Sequence, residues 1–349
     1  MYAYVGSRTT KERHARGEGI SVFNVDSGTG ELKLLQVVKE LVNPSYLVMN
    51  KERTHLYSVH GDLDYATAFQ VNSNTGEITK LNSQTTHGKN PVHLALDPTE
   101  QFLIVSNHLG GSLAVLPINE KGELEPTSQL LELDGAIGPH RVEQTQVKPH
   151  FNGFDPSGKF VVVPDKGLDR VSSIGFANGK LETKAIKHIT TREAAGPRHH
   201  VFHPHLSVTY VVNELDSTVT VYEFNANDGD LRSLQRVSTL PDVFTGNSRA
   251  AAICISPDGS YLYASNRGHD SIAIFSIDQK TGLIQFKGTD KTLGKTPRFI
   301  TLNPNGTLLY ALNEDSDSIT TFAIDSKTGH LTHRAQDVKC GSPVCLIFS

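Results

Sequence analysis

Short stretches of alternating apolar and polar residues recur along the whole chain, each bounded by turn-forming residues. The clearest are residues 272–278, followed by Thr281-Gly282, and residues 319–325, followed by Thr328-Gly329. Alternation with a period of two places successive side chains on opposite faces of an extended strand, whereas an amphipathic helix repeats its apolar residues every three to four positions. Weaker copies of the pattern lie at residues 20–30, 67–76, 113–122, 171–179 and 219–229. The chain is therefore predicted to consist of strands joined by tight hairpins, with little helix.

Two further signals accompany each alternating strand in a fixed order. One is a turn such as 155–158, 256–259 or 303–306, in which proline presets φ and glycine accepts a positive φ. The other is a small or polar residue, usually followed by proline, and then a short apolar strand. This combination of a polar residue, proline and a short apolar strand marks the start of each repeat and occurs seven times, beginning at residues 43, 90, 148, 196, 247, 296 and 342. Six intervals of about 50 residues separate Pro44 from Pro343, so the chain contains seven repeats.

Seven repeats of four strands each are typical of a β-propeller, in which every repeat forms one blade. At the C-terminus, Val344–Phe348 has the pattern of the innermost strand of a blade, but no other strands of its own follow it. At the N-terminus, Ala3–Val5 has the pattern of the second strand of a blade, but no innermost strand precedes it. Pairing the two would complete the seventh blade and remove two exposed edges. We therefore predict an all-β, seven-bladed propeller of four-stranded blades, a single domain over residues 1–349. Its ring is closed by N- and C-terminal strands that share one blade.

Composition and charge exclude several classes of protein. A content of 37% hydrophobic and 20% charged residues is typical of a soluble globular protein, and a net charge of −4 argues against a nucleic-acid binder. No apolar run approaches the roughly 20 residues that cross a bilayer. The N-terminus lacks the features of a secretory signal, and the three cysteines form no CxxC pair. We expect a cytoplasmic protein without membrane or nucleic-acid partners, either monomeric or weakly homo-oligomeric.

Strand register predicts that one opening of the ring is rich in charge. The innermost strand of a blade starts where the antiparallel second strand ends, so residues at these two points face one mouth. In four adjacent repeats the residue at the start of the innermost strand is basic. The second strands in this part of the ring end on further polar or charged side chains. The predicted group is His150, Arg198, Arg249 and Arg298 with His108, Lys166, Glu214 and Arg267.

This clustering indicates an anionic ligand, because cations packed together destabilise a protein unless an anion neutralises them. Arginine also suits bidentate recognition of carboxylate and phosphate groups. The alternative interpretation is a solvated rim on a non-catalytic propeller. The histidine run at residues 199–205 has no carboxylate at ligand spacing, so we expect neither a metal nor another cofactor. Motifs of serine-hydrolase elbows, phosphate-binding loops, HExxH metalloproteases and Rossmann domains are absent from the sequence.

Several motifs resemble the seven-bladed propeller lactonase family, which includes propeller-type 6-phosphogluconolactonases and the fungal 3-carboxy-cis,cis-muconate lactonising enzyme. They lie at residues 154–170, 196–204, 212–215, 256–269 and 296–298, so the resemblance covers essentially the whole chain. It implies that four residues are catalytic, and all four belong to the group that register had indicated: His150, Arg198, Glu214 and Arg267. The remaining members are expected to bind substrate: Arg298, Arg249, Lys166 and His108.

Two positions depart from the pattern of this family. Lys148 stands where many relatives have a histidine, and Ala252 stands where many have an acid. Both changes leave the identity of the substrate open.

The resemblance implies hydrolysis of a sugar-acid lactone, with 6-phosphogluconolactone or a related aldono- or aldarolactone as substrate. Glu214 or a neutral His150 would activate water, and arginines would hold the anionic substrate and stabilise the oxyanion. Two alternatives are open at this stage. One is a cycloisomerase that lactonises a carboxylated muconate, and the other is a non-catalytic binding module. The choice between Glu214 and His150 as the base is also open.

Overall fold

Seven antiparallel sheets make up the structure, a computed structural model that describes residues 1–184, 186–334 and 337–349. Within these residues, helical structure is confined to two 3-10 turns, Lys11–Arg13 and Glu314–Ser316. None of the helical segments in the described part of the chain is long and apolar enough to cross a lipid bilayer.

The strands follow one another blade by blade along the chain. The N-terminal strands are β1 (Tyr2–Ser7), β2 (Ile20–Val25) and β3 (Leu32–Val38). Blade 1 contains β4 (Pro44–Met49), β5 (His55–His60), β6 (Tyr65–Val71) and β7 (Ile78–Thr85). Blade 2 contains β8 (Pro91–Leu96), β9 (Phe102–Asn107), β10 (Ser112–Pro117) and β11 (Gln129–Glu132). Blade 3 contains β12 (Gly153–Phe154), β13 (Phe160–Asp165), β14 (Arg170–Ala177), β15 (Lys180–Leu181) and β16 (Lys187–Thr190).

The second half of the chain continues in the same way. Blade 4 contains β17 (Pro197–Phe202), β18 (Val208–Asn213), β19 (Thr218–Asn225) and β20 (Asp230–Ser238). Blade 5 contains β21 (Arg249–Ile255), β22 (Tyr261–Arg267), β23 (Ser271–Ile277) and β24 (Ile284–Lys291). Blade 6 contains β25 (Pro297–Leu302), β26 (Leu308–Asn313), β27 (Ser318–Ile324), β28 (Leu331–His333) and β29 (Val338–Lys339). The last strand, β30 (Pro343–Phe348), joins the N-terminal strands in blade 7.

The predicted seven-bladed propeller and the closure of its ring are confirmed. β30 is the innermost strand of blade 7 and pairs antiparallel with β1, with Ala3 opposite Phe348 and Val5 opposite Leu346. The backbone N–H of Ser349 donates to the Tyr2 carbonyl at 2.9 Å and extends this ladder to the last residue. The two ends of the chain therefore hold each other in one sheet, which leaves the inner ring without an open edge.

Blades 3 and 6 depart from a simple four-stranded sheet. In blade 3 the third strand, β14, pairs with two short strands, β15 and β16, and β27 of blade 6 pairs in the same way with β28 and β29. The innermost ladder of blade 3 is also short. It comprises β12 and an isolated bridge between Pro149 and Asp165, so His150 precedes the regular strand instead of lying within it.

The hydrophobic core lies between the blades. Tyr210 and Val221 of blade 4, for example, pack in one cluster with Leu262 and Phe275 of blade 5. The alternation seen in the sequence explains this arrangement, because each strand in the middle of a sheet presents apolar side chains to the blades on both sides. Burial is therefore distributed around the ring, and the strand ends at the two openings are left for polar residues.

A repeated hydrogen bond joins neighbouring blades. In five blades a buried tyrosine of the second strand donates its hydroxyl to the carbonyl of the glycine that ends the third hairpin of the next blade. The pairs are Tyr4 to Gly76, Tyr57 to Gly122, Tyr210 to Gly282, Tyr263 to Gly329 and Tyr310 to Gly30, at 2.9–3.1 Å. Gly30 has a φ of +77°, and a Cβ there would lie 2.2 Å from Cδ1 of Leu308. Glycine is thus required both by the turn and by the close approach of the next blade.

The substitution Tyr310→Phe tests the contribution of this contact. It removes the hydroxyl and leaves the buried Gly30 carbonyl without its donor, so the free energy of unfolding should fall by about 1–2 kcal/mol. Tyr2→Phe is the matched control, because the Tyr2 hydroxyl donates to the Asn74 carbonyl at an exposed position where water can replace it. Denaturant titrations followed by circular dichroism measure both. Equal losses in the two variants would contradict the argument.

Candidate functional site

The ends of the second strands are fixed to the starts of the innermost strands by backbone hydrogen bonds. The N–H of Glu214 donates to the Gly196 carbonyl at 2.7 Å, and that of Lys166 to the Lys148 carbonyl at 3.0 Å. His108, Glu314 and Arg8 are held by the same contact in their own blades. These five blades therefore deliver the side chain that follows the second strand to the same opening of the channel.

The carboxylate of Glu214 lies at the centre of the charged group. Its Oε2 is 3.0 Å from Nε of Arg198, and its Oε1 is 3.2 Å from Nη2 of Arg267 and 3.3 Å from Nζ of Lys166. Arg249 approaches the same Oε1 to 3.8 Å. Cations from blades 3, 4 and 5, far apart in the sequence, thus converge on one buried anion.

Backbone carbonyls hold two of these arginines in place. Nη1 of Arg198 donates to the carbonyl of Ala251, and Nη2 of Arg267 donates to that of Ala250 at 3.2 Å. Both carbonyls belong to β21, where the register with β22 shifts between Ala250 and Ile253. The bulge turns these carbonyls away from the ladder towards the guanidinium groups.

A second group of cations lies beside the first. Arg298 is 3.5 Å from the carboxylate of Glu314, and the buried Arg8 lies close by. Burial and the nearby Arg298 lower the pKa of Arg8 to about 9. Within the described chain, neither Nε nor Nη1 of Arg8 has a hydrogen-bond partner, so this guanidinium keeps donors available to a ligand.

A small cavity lies inside the channel next to these side chains. It measures about 20 Å³, which is room for about one water molecule and too little for a sugar. A sugar-sized ligand would therefore have to bind at the opening. In each of the seven repeats, one residue follows the proline, or its equivalent, at the start of the innermost strand. Six of these seven residues line the cavity: Ser45, Val92, His150, Arg198, Arg298 and Val344.

His150 is buried between two other imidazole rings. Its ring centroid is 5.0 Å from that of His108 and 5.2 Å from that of His199. Burial, followed by the charge of Arg198, lowers the pKa of His150 well below its ordinary value, so the ring is neutral. Among the described residues, Nδ1 of His150 has no hydrogen-bond partner. A neutral imidazole with a free nitrogen can bind a water molecule or accept a proton.

Glu214 is ionised in spite of its burial. Burial alone would raise the pKa of this carboxyl, but Arg267, Lys166 and Arg198 together hold it well below the ordinary value. Each carboxylate oxygen already contacts at least one cation. The group is therefore suited to fixing the positions of the cations, and it is a weak proton acceptor.

Three of the four histidines at residues 199–205 lie in different surroundings. His199 lies in the channel beside His150, Nε2 of His200 is 3.1 Å from the Val162 carbonyl, and Nδ1 of His203 accepts the N–H of Leu206 in a turn. Over the ranges that the structure describes, no group of three or more His, Cys, Asp or Glu side chains could hold a metal ion.

All eight residues predicted from the sequence lie at this opening, around Glu214, around His150 or, for Arg298, beside Glu314 and the cavity that His150 lines. Sequence reasoning missed Glu143, whose carboxylate contacts Nζ of Lys166 at 3.1 Å and Nη1 of Arg249 at 2.5 Å. No motif marks Glu143, because it lies in an irregular segment outside the repeats. Arg8 was also missed, although it follows the second strand of blade 7 as Glu214 does in blade 4.

The two departures from the family pattern also lie here. Nζ of Lys148 donates to the carbonyl of Glu143 at 2.7 Å, so this lysine holds the irregular segment in place. Ala252 is buried in β21, next to the residue whose carbonyl accepts from Arg198. Lys148 thus adds a cation near the group around Glu214.

Comparison with known proteins agrees with this architecture. Residues 2–348 match the family described as "Lactonase, 7-bladed beta-propeller". The 6-phosphogluconolactonase of Bacillus subtilis (strain 168) is 37% identical over 301 residues, which cover 84% of this chain and 83% of that protein. The 6-phosphogluconolactonase of Formosa agariphila is 33% identical over 308 residues, with 84% of each chain covered.

Solved structures show the same fold over the full chain. A protein of Bacteroides fragilis NCTC 9343 superposes with a TM-score of 0.91 and 31% identity, covering 100% of this chain and 97% of that one. The periplasmic gluconolactonase PpgL of Pseudomonas aeruginosa gives a TM-score of 0.92 at 28% identity, with 99% and 98% covered. The chain therefore belongs to the seven-bladed β-propeller lactonase family, and like its curated relatives it is a lactone hydrolase.

Proposed function

We propose that the protein hydrolyses a sugar-acid lactone, with 6-phosphogluconolactone as its substrate, at the opening where the carboxylate of Glu214 contacts the clustered cations. The observation that carries this proposal is the surplus of positive charge around a neutral His150. Among the described residues, Lys166, Arg198, Arg249 and Arg267 form ion pairs with two carboxylates, those of Glu214 and Glu143, so four cations face two anions and an anionic ligand would be attracted. The curated relatives from Bacillus subtilis and Formosa agariphila, both named 6-phosphogluconolactonase, support the same substrate.

In the proposed reaction, water attacks the lactone carbonyl and forms a new C–O bond. The carbonyl oxygen becomes an oxyanion, which Arg198 and Arg267 stabilise; one preorganised donor of this kind contributes about 3–4 kcal/mol. The ring C–O bond then breaks, and the alkoxide that leaves takes up the proton removed from the water. The products are the open sugar acid and its free hydroxyl, with no cofactor consumed.

We assign the base role to His150 and a positioning role to Glu214. His150 Nδ1 is unpartnered within the described residues and belongs to a ring that lines a cavity of water size, whereas the oxygens of Glu214 are engaged by cations. The low pKa of His150 makes it a modest base. Sugar lactones also open readily in water, so the reaction requires only a modest base. General-base catalysis contributes about 10²–10⁴-fold in such sites.

A second candidate substrate is the unphosphorylated gluconolactone. The Pseudomonas aeruginosa neighbour, which aligns over almost the whole chain, is named a periplasmic gluconolactonase. Arginine clusters accept carboxylates as well as phosphates, and a neutral lactone could use the same oxyanion donors. Side-by-side hydrolysis assays with both lactones, corrected for spontaneous opening, distinguish the two. A carboxylated muconate in the same panel tests the cycloisomerase reaction.

Substitution of the two central residues should separate their roles. His150→Ala should lower kcat for 6-phosphogluconolactone by about 100-fold or more, because the base is lost. Glu214→Gln should mainly raise KM, because the cations lose the carboxylate that positions them. His205→Ala, at an exposed position outside the site, is the matched control and should retain wild-type kinetics. A pH-indicator assay measures all three. Wild-type kcat/KM in both His150→Ala and Glu214→Gln would refute the assignment.

The pH profile tests the identity of the base. The active form is the neutral imidazole, so kcat/KM falls as pH drops through the pKa of His150. Since that pKa is lowered from 6.5 by burial and by Arg198, kcat/KM should be constant between pH 8 and 6.5 and should decline only below this range. The decline should persist in Glu214→Gln. An acid limb centred at or above pH 6.5, or one that disappears in Glu214→Gln, would exclude His150 as the base.

A further inference from the structure

An irregular segment, residues 133–148, crosses part of the opening between blades 2 and 5. It follows β11 and leads to the start of blade 3, yet its Glu143 reaches Arg249 of blade 5. The ion pairs Arg13–Asp62, Arg16–Asp317 and Lys187–Asp228, by contrast, each join neighbouring blades. We call residues 133–148 the crossing segment.

Buried hydrogen bonds hold the crossing segment on blade 3. Nε2 of the buried Gln144 donates to the Lys166 carbonyl at 2.9 Å, and its Oε1 accepts the N–H of His140 at 2.9 Å. The N–H of Gly138 donates to the Gly167 carbonyl at 2.8 Å. Lys148 donates to the Glu143 carbonyl, as described above. The backbone at Glu143 is therefore anchored, and its carboxylate is delivered to a defined place.

That place is between two cations of the site. The carboxylate bridges Nζ of Lys166 and Nη1 of Arg249, and Lys166 also contacts Glu214. Burial would raise the pKa of Glu143, but Lys166 and Arg249 lower it to about 2. Glu143 is thus an anion at neutral pH, and it shares the Lys166 ammonium with the central carboxylate of Glu214.

Exposure indicates which groups cover the site. The side chains of Arg198 and Glu214 are only 3% and 5% exposed, whereas those of Glu143 and Arg249 are 19% and 45% exposed. A substrate coming from solvent therefore meets the Glu143–Arg249 pair before it reaches the groups beneath. Because Arg249 is partly exposed, solvent weakens its ion pair with Glu143, so a ligand of higher charge can displace the carboxylate.

We propose that Glu143 is a tethered competitor for the phosphate of the substrate: its carboxylate occupies the phosphate subsite, formed by Lys166 and Arg249, and a phosphorylated ligand displaces it. The proposal rests on the proposed function for the nature of the ligand. A phosphate carries close to two negative charges and three acceptor oxygens, against one charge and two oxygens for the carboxylate. The lysine ammonium and the guanidinium therefore gain contacts on the exchange. An unphosphorylated ligand gains nothing there.

Glu143 would thus set the selectivity between phosphorylated and free sugar acids. Because the carboxylate is attached to the protein, it competes at a high effective concentration and reduces the apparent affinity for phosphate. Removing its charge should raise the affinity for phosphorylated ligands and leave that for their unphosphorylated counterparts nearly constant.

The test measures binding of the hydrolysis products, which needs no turnover. Isothermal calorimetry on the full chain gives Kd for 6-phosphogluconate and for gluconate, two acids that differ only in the phosphate. In Glu143→Gln, Kd for 6-phosphogluconate should fall at least fivefold and that for gluconate less than twofold. Glu143→Ala should show the same direction, and thermal unfolding verifies that both variants are folded.

Glu314→Gln is the matched control, because it removes a carboxylate from the same opening beside a different cation, Arg298. In Glu314→Gln, the ratio of Kd for gluconate to Kd for 6-phosphogluconate should change less than twofold. An unchanged or reduced preference for 6-phosphogluconate in Glu143→Gln would overturn the proposal, as would an equal gain in Glu314→Gln.

Hydrolysis assays on the same preparations keep the two proposals distinguishable. Intact lactonase activity with unchanged selectivity refutes only the role of Glu143, whereas altered binding without any hydrolysis refutes only the reaction.

Discussion

The buried carboxylate of Glu214 is the constraint on which the functional opening depends. Without it, Lys166, Arg198 and Arg267 would be cations of like charge held within a few ångströms of a common point, in a region where water cannot screen them. With it, groups from three blades are held in one geometry, and the net charge around them is still positive. The same ion cluster therefore provides both the stability of the opening and its attraction for anions.

The propeller frame makes this cluster possible. Tyrosine hydroxyls bonded to the turn glycines of the next blade join five pairs of neighbouring blades, and the pairing of β1 with β30 closes the ring. Backbone hydrogen bonds then fix the residue after each second strand to the innermost strand, as for Glu214 and Gly196. Side chains that are distant in sequence thus meet with little freedom, which is what electrostatic preorganisation of a transition state requires.

Burial and charge act in opposite ways on the two central titratable groups. Burial and Arg198 lower the pKa of His150 and keep the ring neutral, whereas the surrounding cations outweigh burial at Glu214 and keep the carboxylate ionised. One cationic environment therefore produces a neutral proton acceptor next to a fixed anion. Glu143 is a second anion in the same environment, but it comes from a segment outside the repeats, and its partner Arg249 is partly exposed.

The sequence by itself determined the number of blades, the order of their strands, the closure of the ring and the eight residues that meet at one opening. Those follow from local rules: alternation defines strands, proline and glycine define turns, and antiparallel register sets which ends share a mouth. The tertiary structure alone decided the displaced inner strand of blade 3, the divided outer strands of blades 3 and 6, and the contacts of Glu143. These features depend on distances between residues that no repeat relates, such as Glu143 and Arg249, and a one-dimensional pattern carries no information about such distances.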